Sequence, residues 1–252
     1  MTRLSAIVLA LAPCVAFPQA APAPSEFTYT VDKSQRMSPA TGAPFSADEV
    51  HEYKVLPSAD GTLVPQPNTI VHLYRDSQGR TRKDHPVPGS EFPIVEIQDP
   101  VMRCEYFLDP QRRIAHRLKA PPFEIYGAHK AGSKSAPKLD AAAGPLPNGF
   151  ESLGTRTIEG VMAEGTKFTI DQGSGSNKHS LRPPFKATME TWNSPDLEVR
   201  VLTINSDNRS GESVTKLIHI SRSEPDPALF KVPAGYTVVE ESDTFSIVIN
   251  RP

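Results

Sequence analysis

The sequence predicts an all-β protein, or at least a β-dominated α+β one, and three observations support this class. Runs of β-branched and aromatic residues alternate with polar residues at a period of two. Turn-forming residues, mainly Asp, Asn, Gly and Pro, separate these runs at short intervals. Stretches with a helical period are few. We therefore expect a single curved antiparallel β-sheet, a half-barrel meander with few or no helices.

The first half of the chain contains a series of predicted strands joined by short turns. They cover residues 69–75, 80–84, 94–97, 102–108 and 113–118. The link 76–79 begins with Asp and ends with Gly, which is typical of a β-hairpin turn. Asp-Pro pairs at 99–100 and 109–110 separate the later strands. Consecutive strands joined in this way favour antiparallel pairing.

The second half repeats the same pattern. Its predicted strands cover residues 154–159, 162–170, 185–192, 197–204, 212–221 and 236–249. Turn residues at 159–160, 193–196 and 208–211 separate most of these runs. Phe245, Ile247 and Ile249 alternate in the last one, which predicts a half-buried closing strand.

One segment near residue 50 has both helix and strand features. Ser46 and Glu49 match a helix capping box, and Tyr53 and Leu56 could continue a helical stripe. The same residues also alternate as a strand would, and a turn sequence follows at 59–62. We prefer a strand that enters this turn.

Composition excludes two classes of protein. The chain has 252 residues, 26 of them proline, and a net charge of −2. No apolar run approaches the roughly 20 residues that cross a bilayer as a helix. Proteins that bind nucleic acids usually carry an excess of Lys and Arg, which the phosphate backbone attracts, and this nearly neutral chain has no such excess. We expect no membrane-spanning segment and no nucleic-acid partner.

The first 24 residues resemble a secretory leader. Arg3 carries the early positive charge, residues 4–11 are apolar, and a Pro- and Ala-rich stretch follows. We expect cleavage near Ala20 or Ala21 and a periplasmic or secreted mature protein. Two alternatives stay open: a lipobox in which Cys14 is acylated, although Pro13 fits it poorly, and a disordered apolar N-terminus.

The rest of the chain, residues 25–252, is predicted to form one β-rich domain. Residues 119–151 interrupt its pattern with several prolines, lysines and glycines. Such a segment buries too little apolar surface to offset the entropy of ordering it. We predict a flexible surface loop there.

Motifs for catalysis or metal binding are missing from the sequence. It contains no His-Glu-x-x-His, Cys-x-x-Cys or Gly-x-Ser-x-Gly. Cys104 is the only cysteine outside the leader, and we interpret it as a buried, inert thiol. His72 and His219 are interpreted as half-exposed sheet residues. We expect no enzyme activity, no cofactor, no metal and no catalytic residue.

A mixed-charge cluster lies on the predicted 69–75 and 80–84 hairpin. Its cations are Arg75, Arg80, Arg82 and Lys83, and Asp76 and Asp84 interleave with them. Interleaved charges of this kind usually form a solvated surface. We predict such a surface here rather than a binding patch.

Several blocks carry a resemblance to known proteins. Residues 73–82, 106–113, 190–197, 217–222 and 224–233 resemble uncharacterised exported bacterial proteins. More distantly, the strand, Asp-Pro turn and strand around Asp109 resemble the periplasmic lipoprotein-carrier superfamily (LolA/LppX-like). So does the ending, in which a long strand is followed by Phe230, a short proline loop and a last strand. That resemblance implies a curved sheet wrapped around an apolar cavity for acyl chains. This sequence lacks the clear helices of that family.

The leader, the β pattern and the resemblance together suggest two functions. The first is an exported, non-catalytic binding protein that shelters a lipid, a lipoprotein acyl chain or another apolar ligand on the concave face. We name Trp192, Tyr74, Tyr106 and Met189 as its candidate ligand-binding residues. Trp192 could instead pack at the mouth of the core, as large aromatics at strand ends usually do. The alternative function is an envelope component that binds a protein partner, without a small-molecule ligand.

Overall fold

The protein is built almost entirely from β-strands, as the sequence predicts. The computed structural model describes residues 26–31, 40–55, 63–119, 144–145, 150–172 and 185–250. Its strands are β1 (Glu26–Val31), β2 (Phe45–Val55), β3 (Val64–Pro65), β4 (Thr69–Arg75), β5 (Thr81–His85), β6 (Ile94–Asp99), β7 (Cys104–Asp109), β8 (Ile114–Lys119), β9 (Gly144–Pro145), β10 (Phe150–Ile158), β11 (Val161–Gln172), β12 (Phe185–Ser194), β13 (Val199–Asp207), β14 (Gly211–Ser221), β15 (Thr237–Glu241) and β16 (Phe245–Asn250). The only helical element in these ranges is a single 3-10 turn, Pro227–Phe230.

Two predictions from the sequence fall largely outside these ranges. The leader, residues 1–24, lies outside the described residues, and so does most of the predicted loop at 119–151. The ambiguous segment near residue 50 is a strand, β2.

The strands form one large sheet and one small one. The large sheet has the order β15-β8-β7-β6-β5-β4-β2-β14-β13-β12-β11-β10-β9, with β3 paired to the end of β2. Most neighbours are antiparallel and consecutive in sequence, which is the predicted meander. β2 joins the two halves of the chain, because it pairs with β4 on one side and β14 on the other.

The end of the chain differs from the simple meander. The predicted strand over 236–249 is split into β15 and β16 by a break between residues 241 and 245. β15 pairs in parallel with β8, whereas β16 pairs with β1 in a separate two-stranded sheet. The break exists because the two strands belong to different layers.

The large sheet is curved and has one concave face. A single cavity touches Lys83 on β5 and Thr203 on β13, which are four steps apart in the strand order. The buried guanidinium of Arg75 on β4 also donates a hydrogen bond to the carbonyl oxygen of Leu197, in the turn between β12 and β13. The sheet therefore bends around the face that carries Leu73 and Lys83.

Each face of the β5–β8 region is covered by a different element. The small sheet covers the concave side, where Ile247 and Ile249 pack with Ile94, Phe107 and Leu118. The segment 225–236 covers the opposite side. There Phe230 packs with four buried side chains, and these are Val95, Ile97, Leu108 and Ala115. Both faces of this half are thus occupied by the protein itself.

A third apolar cluster joins the two halves. Its buried members are Phe45, Ala47, Leu73, Val161, Ala163, Trp192, Leu197, Val201 and Leu217. They come from the central strands β2, β4 and β14 and from the β11 to β13 region. On the concave side of β10–β14, Leu217 belongs to this cluster, whereas Phe150 and Met189 are 36% and 38% exposed.

The predicted solvated surface on the β4–β5 hairpin is only partly present. Arg75 and Asp76 are buried, at 3% and 1% exposure. Arg75 donates to the carbonyl of Ala43, and Asp76 accepts from Arg80 Nε at 2.6 Å. The prediction is wrong for this pair, because both side chains satisfy buried backbone and turn groups.

Candidate ligand-binding site

A cavity of about 520 Å³ opens on the concave face. This volume lies in the range of small-molecule sites. The cavity is lined by Glu49, Leu73, Lys83, Glu198, Val199, Arg200, Thr203, Thr215, Lys216 and Leu217. Leu73, Val199 and Leu217 supply apolar surface, and charged and hydroxyl side chains supply the rest.

The Glu49 carboxylate is already engaged by a neighbour. His51 Nε2 lies 2.9 Å from Glu49 Oε1. The hydrogen bond from His51 lowers the pKa of Glu49, although burial works against this, and Lys83 and His85 add to the lowering through their charges. Glu49 is therefore an anion whose hydrogen-bonding capacity is partly used inside the protein.

A second carboxylate lies beside Lys83 on the same face. Glu96 is directly opposite Lys83 in the β5–β6 register, and its Oε2 is 3.0 Å from His85 Nε2. Burial alone would raise the pKa of Glu96, but the hydrogen bond from His85 and the charge of Lys83 outweigh it, so the pKa is lowered. Lys83 thus lies between two carboxylates that each have a histidine partner.

A row of threonines leads away from the cavity across the second half of the sheet. Thr215 and Thr203 line the cavity, and the register continues through Thr191 to Thr166. The hydroxyls of Thr191 and Thr166 are 2.9 Å apart. Because side chains alternate along a strand, the residues two positions further along point to this same face.

Those next residues form an exposed apolar row, which we define as Phe150, Phe168 and Met189. Met189 is opposite Phe168, and Phe168 is opposite Phe150 in the register. The two phenyl rings have centroids 4.8 Å apart. Phe150 and Met189 are 36% and 38% exposed. An apolar surface therefore begins on β12, one strand beyond the cavity residue Thr203 and two residues, about 7 Å, further along the strand.

Met189 is the one sequence-predicted residue on the concave face, and the other three lie elsewhere. Trp192 points to the opposite face of β12 and is 5% exposed. Its ring is covered by the Arg156 guanidinium at 3.8 Å, and its Nε1 donates to Glu190 at 2.6 Å. Its position is that of a packing residue, the second option that the sequence left open.

Tyr74 and Tyr106 are also on the face opposite the cavity. Both are partly buried against the cluster that contains Phe230. Burial raises the pKa of both phenols. None of the four predicted residues is among those that line the cavity.

Lys83 and Arg200 were not identified from the sequence as site residues. In the sequence, Lys83 is one of several interleaved charges, and Arg200 is a lone charge near the start of a strand. Only the pairing register shows that Lys83 shares the face of Leu73. The signal that could have found it is the alternation itself, because Arg82 and Asp84 point to the other side, where they bond at 2.7 Å.

Candidate chemical centres elsewhere are limited. His72 and His219 both contact Asp48, with Nδ1 to carboxylate distances of 2.6 and 2.9 Å. The hydrogen bonds from His219 and His72 lower the pKa of Asp48.

Cys104 is buried, and burial raises the pKa of its thiol. Over the described ranges, no group of three or more His, Cys, Asp or Glu is placed to hold a metal ion.

No helix within the described ranges is long and apolar enough to cross a bilayer. No family model matches the chain, and no curated protein matches it. Three solved structures that resemble it are 11 to 12% identical to it.

One is an uncharacterised conserved protein from Thermus thermophilus, with 12% identity, a TM-score of 0.42, and coverage of 79% of this chain and 91% of that one. A LolA superfamily protein from Nitrosomonas europaea has 11% identity, a TM-score of 0.32 and coverage of 75% and 90%. LprF from Mycobacterium bovis has 12% identity, a TM-score of 0.26 and coverage of 74% and 90%. One of these three structures is of a LolA superfamily protein, and all three similarities are distant.

Proposed function

We propose that the protein is an exported, non-catalytic binding protein that holds the apolar chain of an amphipathic ligand on its concave face. The ligand's polar end occupies the cavity, and its chain lies along Phe150, Phe168 and Met189. The single observation that carries the proposal is this exposed apolar row on the same face as the cavity. Isolated exposed apolar residues are common, whereas an apolar row beside a polar cavity suits an amphiphile.

The distribution of covering elements supports this placement. The small sheet fills the concave side of β6–β8, so no ligand chain can lie there without displacing Ile247 and Ile249. On the concave side of β10–β12, by contrast, Phe150 and Met189 are 36% and 38% exposed. A chain that leaves the cavity would therefore follow the threonine row toward the apolar row.

Location outside the cytoplasm is part of the proposal and depends on the leader-like residues 1–24. The alternative of a protein partner bound through the proline-rich loop gains no support, because that segment lies mostly outside the described residues.

The first test is whether the protein carries a ligand. Native mass spectrometry of protein purified without detergent should show added mass from a co-purified lipid. Protein stripped of lipid should take up a fluorescent fatty acid. A clean apo mass combined with no uptake of the fatty acid would contradict the proposal.

A pair of variants locates the site. Met189→Asn should weaken uptake of the fluorescent fatty acid about tenfold, because roughly 1.5 kcal/mol of apolar contact is lost. The matched control is Ile70→Asn, since Ile70 is similarly exposed at 45% and points to the other face. If both variants weaken fatty-acid uptake equally, or if neither weakens it, the apolar chain of the ligand does not bind at the apolar row.

A further inference from the structure

The charges around the cavity indicate what kind of polar group it receives. Five charged side chains line it, namely Glu49, Lys83, Glu198, Arg200 and Lys216. Two of them have partners beyond the cavity lining. Lys216 Nζ is 2.7 Å from Glu52, and Glu49 is 2.9 Å from His51.

Three charged groups are left, of which two are positive. Lys83 and Arg200 form no ion pair within 4 Å in the described part of the chain, and the same holds for Glu198. Glu198 is exposed in the turn before β13, and its charge acts on the buried Arg75. Lys83 and Arg200 are therefore the two cations of the cavity that no carboxylate within 4 Å holds in the described part of the chain.

The two cations approach the cavity from different strands. Lys83 is on β5 and Arg200 is on β13, and the curvature of the sheet brings both to one cavity. The hydroxyl of Thr203 lies on the same lining. Carboxylate and phosphate groups accept strong hydrogen bonds from guanidinium and ammonium groups and also accept hydrogen bonds from hydroxyl groups.

We infer that the ligand carries an anionic group, a carboxylate or a phosphate, which Lys83 and Arg200 bind in the cavity. This inference rests on the proposed function, because it assigns the polar end of the amphiphile whose chain lies on the apolar row. Lys83 offsets part of the repulsion from the carboxylates of Glu49 and Glu96, because its charge acts on both of them.

The test compares probes that share one chain and differ in the head group. Displacement of the neutral dye Nile red is measured with dodecanoate, dodecyl phosphate and dodecan-1-ol. Both anions should bind at least about tenfold more tightly than the alcohol, which is the expected worth of one charge-assisted contact. Inorganic phosphate at the same concentration should not displace the dye, because it lacks the chain.

Charge-removing variants identify the residues. Lys83→Gln and Arg200→Gln should each lower the affinity for both anions about tenfold and leave dodecan-1-ol unchanged. Lys231→Gln is the matched control, because Lys231 is exposed on the segment that covers the opposite face. Thermal unfolding of each variant checks that it is folded.

The outcomes separate the inference from the proposed function. Equal binding of the alcohol and the anions, or no effect of either cavity variant, overturns the anionic head group and leaves the binding function intact. Displacement by inorganic phosphate alone overturns the amphiphile in favour of a free oxyanion. Failure of every dodecyl compound to bind overturns the inference and the proposed function together.

Discussion

Gly165 provides the space that the Trp192 ring occupies. The two residues are directly opposite each other on β11 and β12, and a Cβ added at Gly165 would lie 2.7 Å from the ring carbons Cη2 and Cζ3. Contacts this short force the ring or the strand to shift. The ring of the only tryptophan in the chain can therefore take this position because Gly165, directly opposite, has no side chain.

Gly165→Ala should lower the free energy of unfolding by about 1–3 kcal/mol, as overpacking of a filled core does. Trp192→Ala should lower it by about 3–5 kcal/mol. Urea unfolding followed by circular dichroism measures both without relying on tryptophan fluorescence.

The control for this pair is the double variant. In the Trp192→Ala background, Gly165→Ala should cost much less than it does alone, because the clashing ring is gone. If the two losses of stability are additive, Gly165 is required for its backbone conformation and not to make room for the Trp192 ring.

Glu96 links stability to pH. Its side chain is 12% exposed, and its folded pKa lies below the ordinary value of 4.5 because His85 and Lys83 outweigh the effect of burial. A lowered carboxyl pKa stabilises the fold above the unfolded-state value and loses this contribution as the pH falls through the folded pKa. The contribution is therefore fully present at pH 7 and is lost on acidification below about 4.5.

We expect wild-type protein to lose more stability than Glu96→Gln between pH 5 and pH 3, in urea unfolding experiments at a series of pH values. The control is Glu91→Gln, because Glu91 is exposed. Parallel pH curves for wild type and Glu96→Gln would contradict the role of this carboxylate.

Among the elements, the segment 225–236 shows how irregular chain can act as a layer. Asp226 accepts a hydrogen bond from the backbone N–H of Ala228 at 2.8 Å and so begins the 3-10 turn. Phe230 then enters the cluster on β6–β8, and the Arg80 guanidinium lies 5.2 Å from its ring centroid. The turn is short, but it positions Phe230, the buried aromatic member of the cluster on this side of the sheet.

Phe230→Ala should therefore reduce the free energy of unfolding by about 3–5 kcal/mol. Phe92→Ala is the matched control, because Phe92 is 59% exposed, and its loss should change stability by less than about 0.5 kcal/mol. Chemical unfolding of both variants measures the difference. Similar small effects would mean that the segment is only loosely attached to the sheet.

The positions of most strands could be predicted from the sequence, whereas the sheet to which each strand belongs could not. Alternation and turn residues are local, so they predicted β4 to β8 and β10 to β14 within a few residues. The split between β15 and β16 was missed, because it depends on which distant strands they pair with. A single alternating run carries no signal for such a change of partner.

For the whole molecule, the central position of β2 decides how the site is assembled. β2 pairs with β4 and with β14, which are far apart in sequence. This pairing brings Lys83 and Arg200 to one cavity, although 116 residues lie between them in the chain. Sequence reasoning named Met189, which lies on the face of the cavity, but neither cation, since charges on a half-exposed strand look the same whether they face solvent or a cavity.

The pairing in the small sheet determines where an anchor or a fused protein at either end of the described chain would be attached. Glu26 is directly opposite Asn250, so whatever precedes the first of these residues and whatever follows the second leave side by side. They leave from the sheet that packs on β6–β8, remote in strand order from Phe168 and Met189. A tether at either end, whether an anchor or a fused reporter, would therefore be attached beside β6–β8 and not beside the apolar row.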